Sequence, residues 1–503
     1  MLSRRSFLKS SSLAAASIVA GGHALRAPVA RAQDANSMLR VAVCGVKSRG
    51  RAHIDALLSV GGAEITHIVD VDPTYGGMAC DAIEKRAGKR PKLVVDYRNV
   101  IETDEIDAIT FATPNHLHAL QAVESLLAGK HVYVEKPVSH NVWEGRQAVN
   151  AADKTGLMCQ CGTQSRSSSS LQEAVAMVRD GAIGEIEYAI GTCYKPRMPI
   201  GQLDQPLQID DRIDYDKWAG PAEKRELFRP ELHYDWHWDW NTGNGDMGNQ
   251  GIHQMDIARW FLGEMALSPG VQSIGGRLGY DDAADTPNTQ TIIHRYAAPL
   301  VFETRGLPES IEHRPKWNGS HMDSYRGSKI GVIVQGSDGH AVIPSYTEAR
   351  LYDADGNQTE KLSVKGGSEA NNRHFQNWLD AIAAGDRGML NGDILEGHLS
   401  SALCHTGGIS HRIGEKATDE QIRESLGQSE APHAELFLDS YERMAAHLRR
   451  NEVAIDQPTL TLGPDLTMDP EAERFTGARA DDANDLIRRE GREGFVVPEV
   501  AAG

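Results

Sequence analysis

The sequence predicts an α/β protein in which a doubly wound parallel sheet precedes an α+β domain with a large open, mostly antiparallel sheet. From residue 39 to about residue 164, six apolar, valine-rich segments alternate with helical segments, as in a parallel sheet that is covered on both faces. After residue 170 the apolar residues alternate along segments separated by loops rich in Gly, Pro, Asn and Asp, which is typical of antiparallel strands.

Composition limits the classes of function that fit this chain. Its 503 residues exceed one typical domain, and its content of 40% hydrophobic and 24% charged residues is ordinary for a globular protein. The net charge of −18 makes nucleic acid or an anionic membrane a poor partner. The six cysteines have no metal or redox spacing, so we interpret them as buried free thiols and expect no metal site.

The N-terminus carries an export pattern. Arg4 and Arg5, followed by Phe7, Lys9 and a mildly apolar Ser/Ala/Gly run, are typical of a twin-arginine signal over residues 1–32. The run is too short and too polar for a stable transmembrane helix, so we expect a periplasmic protein that is not inserted in the membrane after cleavage. An ordinary basic N-terminus is the alternative.

Six strands are predicted for the parallel sheet, at residues 40–46, 64–72, 92–97, 108–113, 131–135 and 157–162. Ligands of such sheets bind beyond the carboxyl ends of the strands. The turns that follow these strands are also the most polar part of the segment. We therefore expect the site to be assembled from these turns.

The first of these turns has the features of an anion site. Gly45 ends the first strand, and Gly50 begins the next helix, whose free N–H groups and positive end point at one place. Lys47 replaces the middle glycine of the G-x-G-x-x-G fingerprint, and Ser48 and Arg49 complete the turn. A glycine turn in another kind of α/β protein is the alternative.

A carboxylate at the end of the second strand favours a dinucleotide. Asp70 lies 25 residues after Gly45, where it can accept hydrogen bonds from an adenosine ribose. It would repel a 2′-phosphate, so NAD is expected rather than NADP. Residues 38–164 are accordingly predicted to be a Rossmann dinucleotide-binding domain.

Three later turns supply further candidate residues. Thr113, Asn115 and His118 follow the fourth strand, and helix capping alone would explain Asn115. Glu135 and Lys136 end the fifth strand, where a charged pair is costly unless it faces a polar cleft. The turn after the sixth strand adds Gln164 and Arg166.

The second domain is predicted over residues 165–455, and a tail over residues 456–503 is expected to pack on the surface. Predicted strands cover residues 186–194, 271–278, 289–296, 301–305, 330–335 and 349–352. Predicted helices cover residues 373–384, 393–413 and 434–450.

An aromatic segment and a histidine helix are the candidate substrate elements of this domain. Tyr234, Trp236, Trp238 and Trp240 would share one face of an extended chain, which suits either a sugar ring or a packed core. A polar turn containing Asp246 then leads into a predicted helix over residues 249–260.

Asn249 and His253 lie one turn apart on a single face of that helix. His253 suits either the core or acid/base work, and Asn249 either caps the helix or positions the substrate or His253.

These motifs together resemble the glucose-fructose oxidoreductase / inositol dehydrogenase family, also called the Gfo/Idh/MocA family. The resemblance extends from residue 39 to about residue 414, and residues 236–260 resemble an exported bacterial subgroup. It rests on Gly45-x4-Gly50-x2-His53, Asp70, Thr113-Pro-Asn-x2-His118, Glu135-Lys136-Pro137 and Gly251-x-His253-x2-Asp256.

The resemblance implies that Lys136 lies beside nicotinamide and substrate, and that His253 acts as acid/base. It implies a sugar, cyclitol or sugar-derivative substrate, with Gln164, Arg166, Trp236, Trp238, Asp246 and Asn249 as candidate contacts. A homo-oligomer, dimer or tetramer, is expected. Asn249 stands where inositol-dehydrogenase-like members carry an aspartate, so any charged partner of His253 would have to be Asp246 or Asp256.

The sequence is consistent with three functions. The first is an NAD-dependent oxidoreductase with a tightly bound cofactor. The second is an NAD-dependent glycoside hydrolase or lyase that oxidises its sugar transiently, which would suit a compartment without a nicotinamide pool. The third is a non-catalytic protein that binds NAD or sugar.

Overall fold

The computed structural model describes residues 38–364, 366, 368–428 and 433–502. The predicted export signal at residues 1–32 lies outside the described residues. Within the described ranges, no helix has the length and apolar character needed to cross a membrane.

The first sheet has six parallel strands in the order β3-β2-β1-β4-β5-β6. They are β1 Leu39–Cys44, β2 Ala63–Val69, β3 Lys92–Val94, β4 Ala108–Phe111, β5 His131–Val134 and β6 Cys159–Cys161. All six predicted strands are therefore confirmed. Each ends one to three residues earlier than predicted, because the last polar residues already belong to the turns that line the cleft.

Five helices connect these strands. They are α1 Arg49–Val60, α2 Pro73–Ala87, α3 Arg98–Ile101, α4 Asn115–Leu127 and α5 Val142–Thr155. Alternate residues of β1 serve opposite faces of the sheet: Val41 and Val43 pack with α1 and α2, and Ala42 and Cys44 pack with α4 and α5. This two-sided cover is the doubly wound arrangement that the sequence predicts.

The second sheet has twelve strands and is antiparallel except where β7 pairs with β10. Its strands are β7 Ile186–Tyr194, β8 Gly270–Gly276, β9 Thr289–His294, β10 Leu300–Arg305, β11 Ile330–Gly336, β12 Gly339–Ser345, β13 Glu348–Asp353, β14 Gln358–Ser363, β15 Glu415–Ala417, β16 Leu460–Leu462, β17 Leu466–Asp469 and β18 Arg474–Thr476. The order is β14-β13-β12-β11-β7-β10-β9-β8-β16-β15, and β17 joins β18 to β8. The predicted large, mostly antiparallel sheet is confirmed.

Eight further helices are described after the first sheet. They are α6 Ser169–Arg179, α7 Tyr215–Ala219, α8 Ile252–Leu262, α9 Glu369–Ala384, α10 Ile394–Arg412, α11 Asp419–Gly427, α12 Ala434–Arg450 and α13 Ala480–Asn484. Of these, α6, α8 and α10 pack on one face of the second sheet and α11 and α12 on the other. Phe302 of β10 packs with α8 and α10, whereas its neighbour Val301 packs with α11 and α12 on the opposite face. The six cysteines are buried free thiols, as predicted.

Two late segments of the chain return to the first sheet. Phe375 and Trp378 of α9 pack into the core beside α1, where the Phe375 ring stacks on Tyr133 with centroids 4.3 Å apart. The C-terminal tail forms β16 to β18, and its last residues then insert Val497 and Val500 into the core on the opposite face. The parallel sheet is thus stabilised by residues far along the sequence.

Candidate active site

A cleft of about 450 Å³ lies at the carboxyl ends of the parallel strands and is closed by the second domain. The turns after β1, β2, β3, β4 and β5 all contribute to its lining, together with α8 and the loop between β12 and β13. These are the strand ends at which the sequence predicts a ligand. Most of the predicted site residues meet here.

The glycine turn after β1 has a shape that only glycines permit. Gly45 has φ of +81°, and a Cβ there would lie 2.8 Å from the carbonyl oxygen of Ala112. A Cβ on Gly50 would overlap the Gly45 carbonyl oxygen. Ser48 precedes α1 and makes no side-chain capping bond within the described chain, so the first N–H groups of α1 can donate to an anion.

Lys47 does not disturb this turn, because its side chain points away from the turn. Its Nζ atom lies 5.1 Å from the ring centroid of Tyr75 and 3.9 Å from the Glu231 carboxylate. The glycine cradle and the free helix end fit the pyrophosphate of a dinucleotide.

Asp70, just beyond β2, holds the same turn in place. Its carboxylate accepts hydrogen bonds from the backbone N–H groups of Val46 at 2.8 Å and Asp72 at 2.9 Å. Burial raises the pKa of Asp70, and these two hydrogen bonds oppose that shift. A carboxylate has about four acceptor positions, so two remain for a ribose.

The turn after β4 is tied to both neighbouring parts of the cleft. His118 has one ring nitrogen 2.6 Å from the Pro137 carbonyl oxygen and the other 2.8 Å from that of Thr113. The Asn115 side chain donates to Asn244 in the second domain at 3.1 Å. Pro114 occupies the N-cap position of α4, so the capping interpretation of Asn115 is wrong and its side chain bridges the domains instead.

Glu135 is the centre of a buried polar cluster. Its Oε1 atom accepts hydrogen bonds from Arg49 at 2.6 Å and from Gln164 at 3.1 Å, and a ring nitrogen of His53 lies 3.2 Å away. Burial opposes ionisation, but the Arg49 guanidinium and His53 hold the pKa of Glu135 well below its usual range. Glu135 is therefore a fixed anion that anchors the start of α1.

Lys136 crosses from the first domain to the second. Its Nζ atom donates a 2.6 Å hydrogen bond to the carbonyl oxygen of Asn249, and its peptide bond to Pro137 is cis. Burial lowers the pKa of Lys136, although the Glu135 carboxylate opposes this shift. An ammonium has three donors, so two remain free for a ligand.

The helix that carries His253 begins differently from the prediction. Residues Met247–Gly251 form a π-helical turn, and α8 starts only at Ile252. A Cβ on Gly251 would overlap the Phe302 ring, so the turn depends on close packing against β10. Such π-turns are common at functional sites, and here the turn directs Asn249 and His253 to the cleft.

His253 lies deep in the cleft, beside Tyr346. The two ring centroids are 4.8 Å apart. Burial, followed by the charge of Lys136, holds the pKa of His253 well below its ordinary value. The imidazole is therefore neutral near neutral pH and can accept a proton.

Three predicted substrate contacts, Arg166, Trp238 and Asp246, do not belong to the lining of the cleft in the described chain. Arg166 is buried in ion pairs with Asp256 and Glu396, each at 2.9 Å. Asp246 is buried against Arg197, whose Nε donates at 2.7 Å and whose guanidinium covers the Trp238 ring. Among the described residues, no carboxylate is hydrogen-bonded to His253.

The aromatic segment is not extended, so that prediction is wrong. Asp235–Trp238 forms a 3-10 helix, because the Asp235 carboxylate and N–H both bond to Glu231 and turn the chain back on itself. Trp236 and His237 stack with centroids 3.6 Å apart and line the cleft, whereas Trp238 is buried behind them. Gln164 also lines the cleft.

Several residues that line the cleft were not predicted from the sequence, and three of them make contacts that bear on the site. Tyr346 accepts a hydrogen bond from Gln250, and burial raises its pKa to about 12. Asn371 of α9 accepts from Arg49 at 2.9 Å, and Phe495 comes from the C-terminal tail. None of the three belongs to a motif, because each reaches the cleft only through tertiary packing.

Potential metal ligands occur elsewhere. Glu309, His313 and His321 have ligand atoms within 4.8 Å of one another in a partly exposed loop. None of the three belongs to the described lining of the cleft.

Comparison with known proteins follows the same division of the chain. The GFO/IDH/MocA model described as an oxidoreductase family with an NAD-binding Rossmann fold matches residues 39–163. The GFO/IDH/MocA C-terminal domain matches residues 171–303.

Two curated relatives share part of the chain. A Glycosyl hydrolase family 109 protein from Shewanella baltica is 29% identical over 201 residues, which cover 36% of this chain and 44% of the relative. A 4-carboxy-2-hydroxymuconate-6-semialdehyde dehydrogenase from a Sphingobium species is 26% identical over 190 residues, covering 38% and 58%. The matched region is thus less than two thirds of either relative.

A solved structure shares the fold over a longer stretch. The WlbA dehydrogenase from Bordetella pertussis, crystallised with NADH and UDP-GlcNAcA, superposes with a TM-score of 0.51 at 21% identity. The superposition covers 73% of this chain and 94% of that one. With both family domains matched in order along the sequence, the chain belongs to the Gfo/Idh/MocA oxidoreductase family.

Proposed function

We propose that this protein is an NAD-dependent oxidoreductase that transfers hydride between a hydroxyl carbon of a sugar, cyclitol or sugar derivative and a tightly bound nicotinamide. One observation carries the proposal: Lys136 from the first domain and His253 from the second face the same cleft, beside the turn after β5. NAD, when bound, supplies the hydride acceptor or donor.

The residues of the chain divide the remaining work. The Gly45–Gly50 turn would hold the pyrophosphate, and Asp70 would accept from the adenosine ribose, which favours NAD over NADP. The two free donors of Lys136 would hydrogen-bond the substrate oxygen and stabilise developing negative charge. Neutral His253 would accept the hydroxyl proton without a carboxylate behind it.

The curated relatives and the solved neighbour support the chemical class. The Sphingobium relative and WlbA are both named dehydrogenases, and the WlbA crystals contain NADH with a nucleotide sugar. The aromatic pair of Trp236 and His237 gives the cleft a flat wall beside the substrate end. Such a wall suits the apolar face of a sugar ring.

The test begins with the purified protein as it is made. Any retained nucleotide is identified by mass, and a panel of sugars and cyclitols is then added while the absorbance of reduced nicotinamide is followed. Retained NAD that is reduced by one member of the panel supports the proposal. A protein that neither retains nor binds NAD would overturn it.

A hydrolase that uses its NAD transiently is the second candidate. It is favoured by the glycosyl hydrolase family 109 relative, although the match covers under half of that protein. Aryl glycosides distinguish the two functions, because hydrolysis would release the aryl group with no net accumulation of reduced nicotinamide. Reduction or cleavage would each exclude a role limited to binding.

Two further proposals concern the setting of the reaction. We propose export by the twin-arginine route with the cofactor already bound, supported by Arg4, Arg5, Phe7 and Lys9. Replacing both arginines by lysine should keep the precursor inside the cell, and mature protein that leaves without nucleotide would contradict the second half. A homo-oligomer, dimer or tetramer, is proposed from the family resemblance and is tested by light scattering.

A further inference from the structure

We propose that the C-terminal tail completes the dinucleotide site: Phe495 forms a wall against the adenine base, and the segment 489–497 retains the cofactor. This inference rests on the proposed function, since it concerns the same cofactor. It adds a contact that the Rossmann motif does not contain. The segment is called the C-terminal strap below.

Strand order places Phe495 at the adenine end of the cleft. Phe495 lines the cleft together with Val95, Tyr97 and Arg98, which follow β3. In the sheet, β3 neighbours β2, and Asp70 beyond β2 is the residue positioned for the adenosine ribose. The base attached to that ribose would therefore lie against the turn after β3 and the ring of Phe495.

Two guanidinium groups contact the ring of Phe495 and fix its position. The guanidinium carbons of Arg98 and Arg492 lie 5.2 and 4.9 Å from its centroid. Arg98 is itself fixed by two 2.8 Å hydrogen bonds to Glu124, and it donates to the Gly494 carbonyl oxygen at 3.0 Å. The ring therefore presents a pre-positioned apolar surface, which costs a ligand little ordering.

The strap is anchored to both domains on its N-terminal side. Arg489 donates at 2.8 Å to the buried Glu144 carboxylate of α5 and at 2.8 Å to the His116 carbonyl oxygen. Arg492 donates to the Gly220 carbonyl oxygen at 2.8 Å and to Asp216 at 2.9 Å, at the end of α7 in the second domain.

The far side of the strap is anchored in the core of the first sheet. Val497 and Val500 are buried there. The backbone of Val500 accepts from Asn150 at 2.8 Å and donates to Gln147 at 2.7 Å. Because the strap is held at both ends, the Phe495 ring is fixed against the cleft, and moving it away to release a dinucleotide would break several of these contacts.

A matched set of variants separates the ring from the strap. Phe495→Ala removes the ring, Phe495→Tyr retains it, and Val496→Ala changes the adjacent residue, whose side chain is 52% exposed and lies outside the described cleft lining. Arg492→Ala removes the contacts of the strap to Gly220 and Asp216 but retains the Phe495 side chain. Thermal melting of each nucleotide-free variant shows whether it folds.

Two ligands that each contain one half of NAD show which end of the cleft Phe495 contacts. Phe495→Ala should weaken binding of ADP-ribose, measured by calorimetry, by about 5- to 150-fold, the range for removing one aromatic ring from a stacked base. It should speed release of NAD to a similar extent and leave the affinity for nicotinamide mononucleotide unchanged. The Phe495→Tyr and Val496→Ala variants should have wild-type affinity for ADP-ribose and wild-type release of NAD. The main effect of Arg492→Ala should be faster release of NAD.

The inference would be overturned if the Phe495→Ala variant folds, binds ADP-ribose with wild-type affinity and releases NAD at the wild-type rate. That result would leave the proposed function intact. Should Phe495→Ala not fold, accelerated NAD release by Arg492→Ala supports the strap, and unchanged release rejects it. Wild-type protein that binds neither NAD nor ADP-ribose would overturn the proposed function itself.

Discussion

The two ends of the cleft are built in different ways. The adenosine end is formed mainly by one stretch of chain, residues 45–70, in which a glycine turn, a helix start and a carboxylate bond to one another. The chemical end combines Lys136, His253 and Tyr346, which come from three distant parts of the sequence. Backbone geometry thus defines the first end, and packing between domains defines the second.

The two ends also differ in electrostatics. At the adenosine end, the Asp70 carboxylate is bonded to backbone N–H groups. At the chemical end, the anion Glu135 is bound to Arg49, while burial lowers the pKa of both Lys136 and His253. The chemical end therefore resists further protonation, which keeps His253 available as a base.

The largest effect expected at the chemical end is that of His253→Ala. Loss of general-base assistance should lower turnover by about 100- to 10,000-fold, with little change in NAD affinity. In the wild type the pKa of His253 is depressed, so activity should stay level as the pH falls through 6.5 and decline only at lower pH. The variant should lack that acidic limb in a pH–rate profile.

Near-wild-type turnover of His253→Ala with an unchanged profile would make His253 a core residue. His237 would then be the next candidate, because it lines the cleft, whereas Asp246 and Asp256 are held by arginines. The chemical end of the cleft would then lie closer to Trp236, on which His237 stacks.

Lys136→Ala should come next in size. Removing the cation that faces the substrate oxygen should lower turnover by about 100- to 1000-fold. NAD affinity should fall far less, because the phosphates and ribose are held at the other end of the cleft. Titration of NAD by calorimetry beside single-turnover kinetics checks this, and a parallel loss of both would show that Lys136 holds the domains together instead.

Asp70→Ser tests the adenosine end alone. It should weaken NAD binding by about 1–3 kcal/mol, the value of charge-assisted hydrogen bonds. It should also reduce the ratio of the affinity for NAD to the affinity for NADP. Turnover at saturating NAD should be nearly unchanged. Wild-type protein that copurifies with NADP would show that Asp70 does not select the cofactor.

Much of the fold was predictable because the period of apolar residues reports burial directly. All six parallel strands and the helices α9, α10 and α12 were predicted to within a few residues. Strands β12 and β14 were not predicted, because β12 contains Gly339 and Pro344 and most of β14 is exposed. The short strands β15 to β18 were missed as well, since three or four residues carry no period.

The candidate site also contains residues that the sequence predicts from a local motif and residues that only tertiary packing brings to the cleft. Gly45, Gly50 and Asp70 form a local motif, and their positions follow from the requirements of one turn. Tyr346 and Phe495 carry no local signal, because each reaches the cleft through folding of remote chain. The segment 234–240 shows the opposite failure: its alternation suggested a strand, but bonds between Asp235 and Glu231 impose a 3-10 helix.

The smallest expected effect is that of Asn249→Ser, and it probes how the second domain meets the first. Asn249 lies inside the π-turn, and its backbone carbonyl, which serine retains, accepts from Lys136. Asn249 lines the cleft, so if its side chain binds the substrate the variant should raise KM about 2- to 10-fold, the value of one hydrogen bond, with kcat and Tm unchanged. A lower Tm at unchanged KM would assign the side chain a structural role.

Asn249→Asp sharpens the test, because a carboxylate one turn from His253 should raise the pKa of the imidazole. Its acidic limb should therefore move to higher pH than in the wild type, and an unmoved limb would show that Asn249 does not face His253.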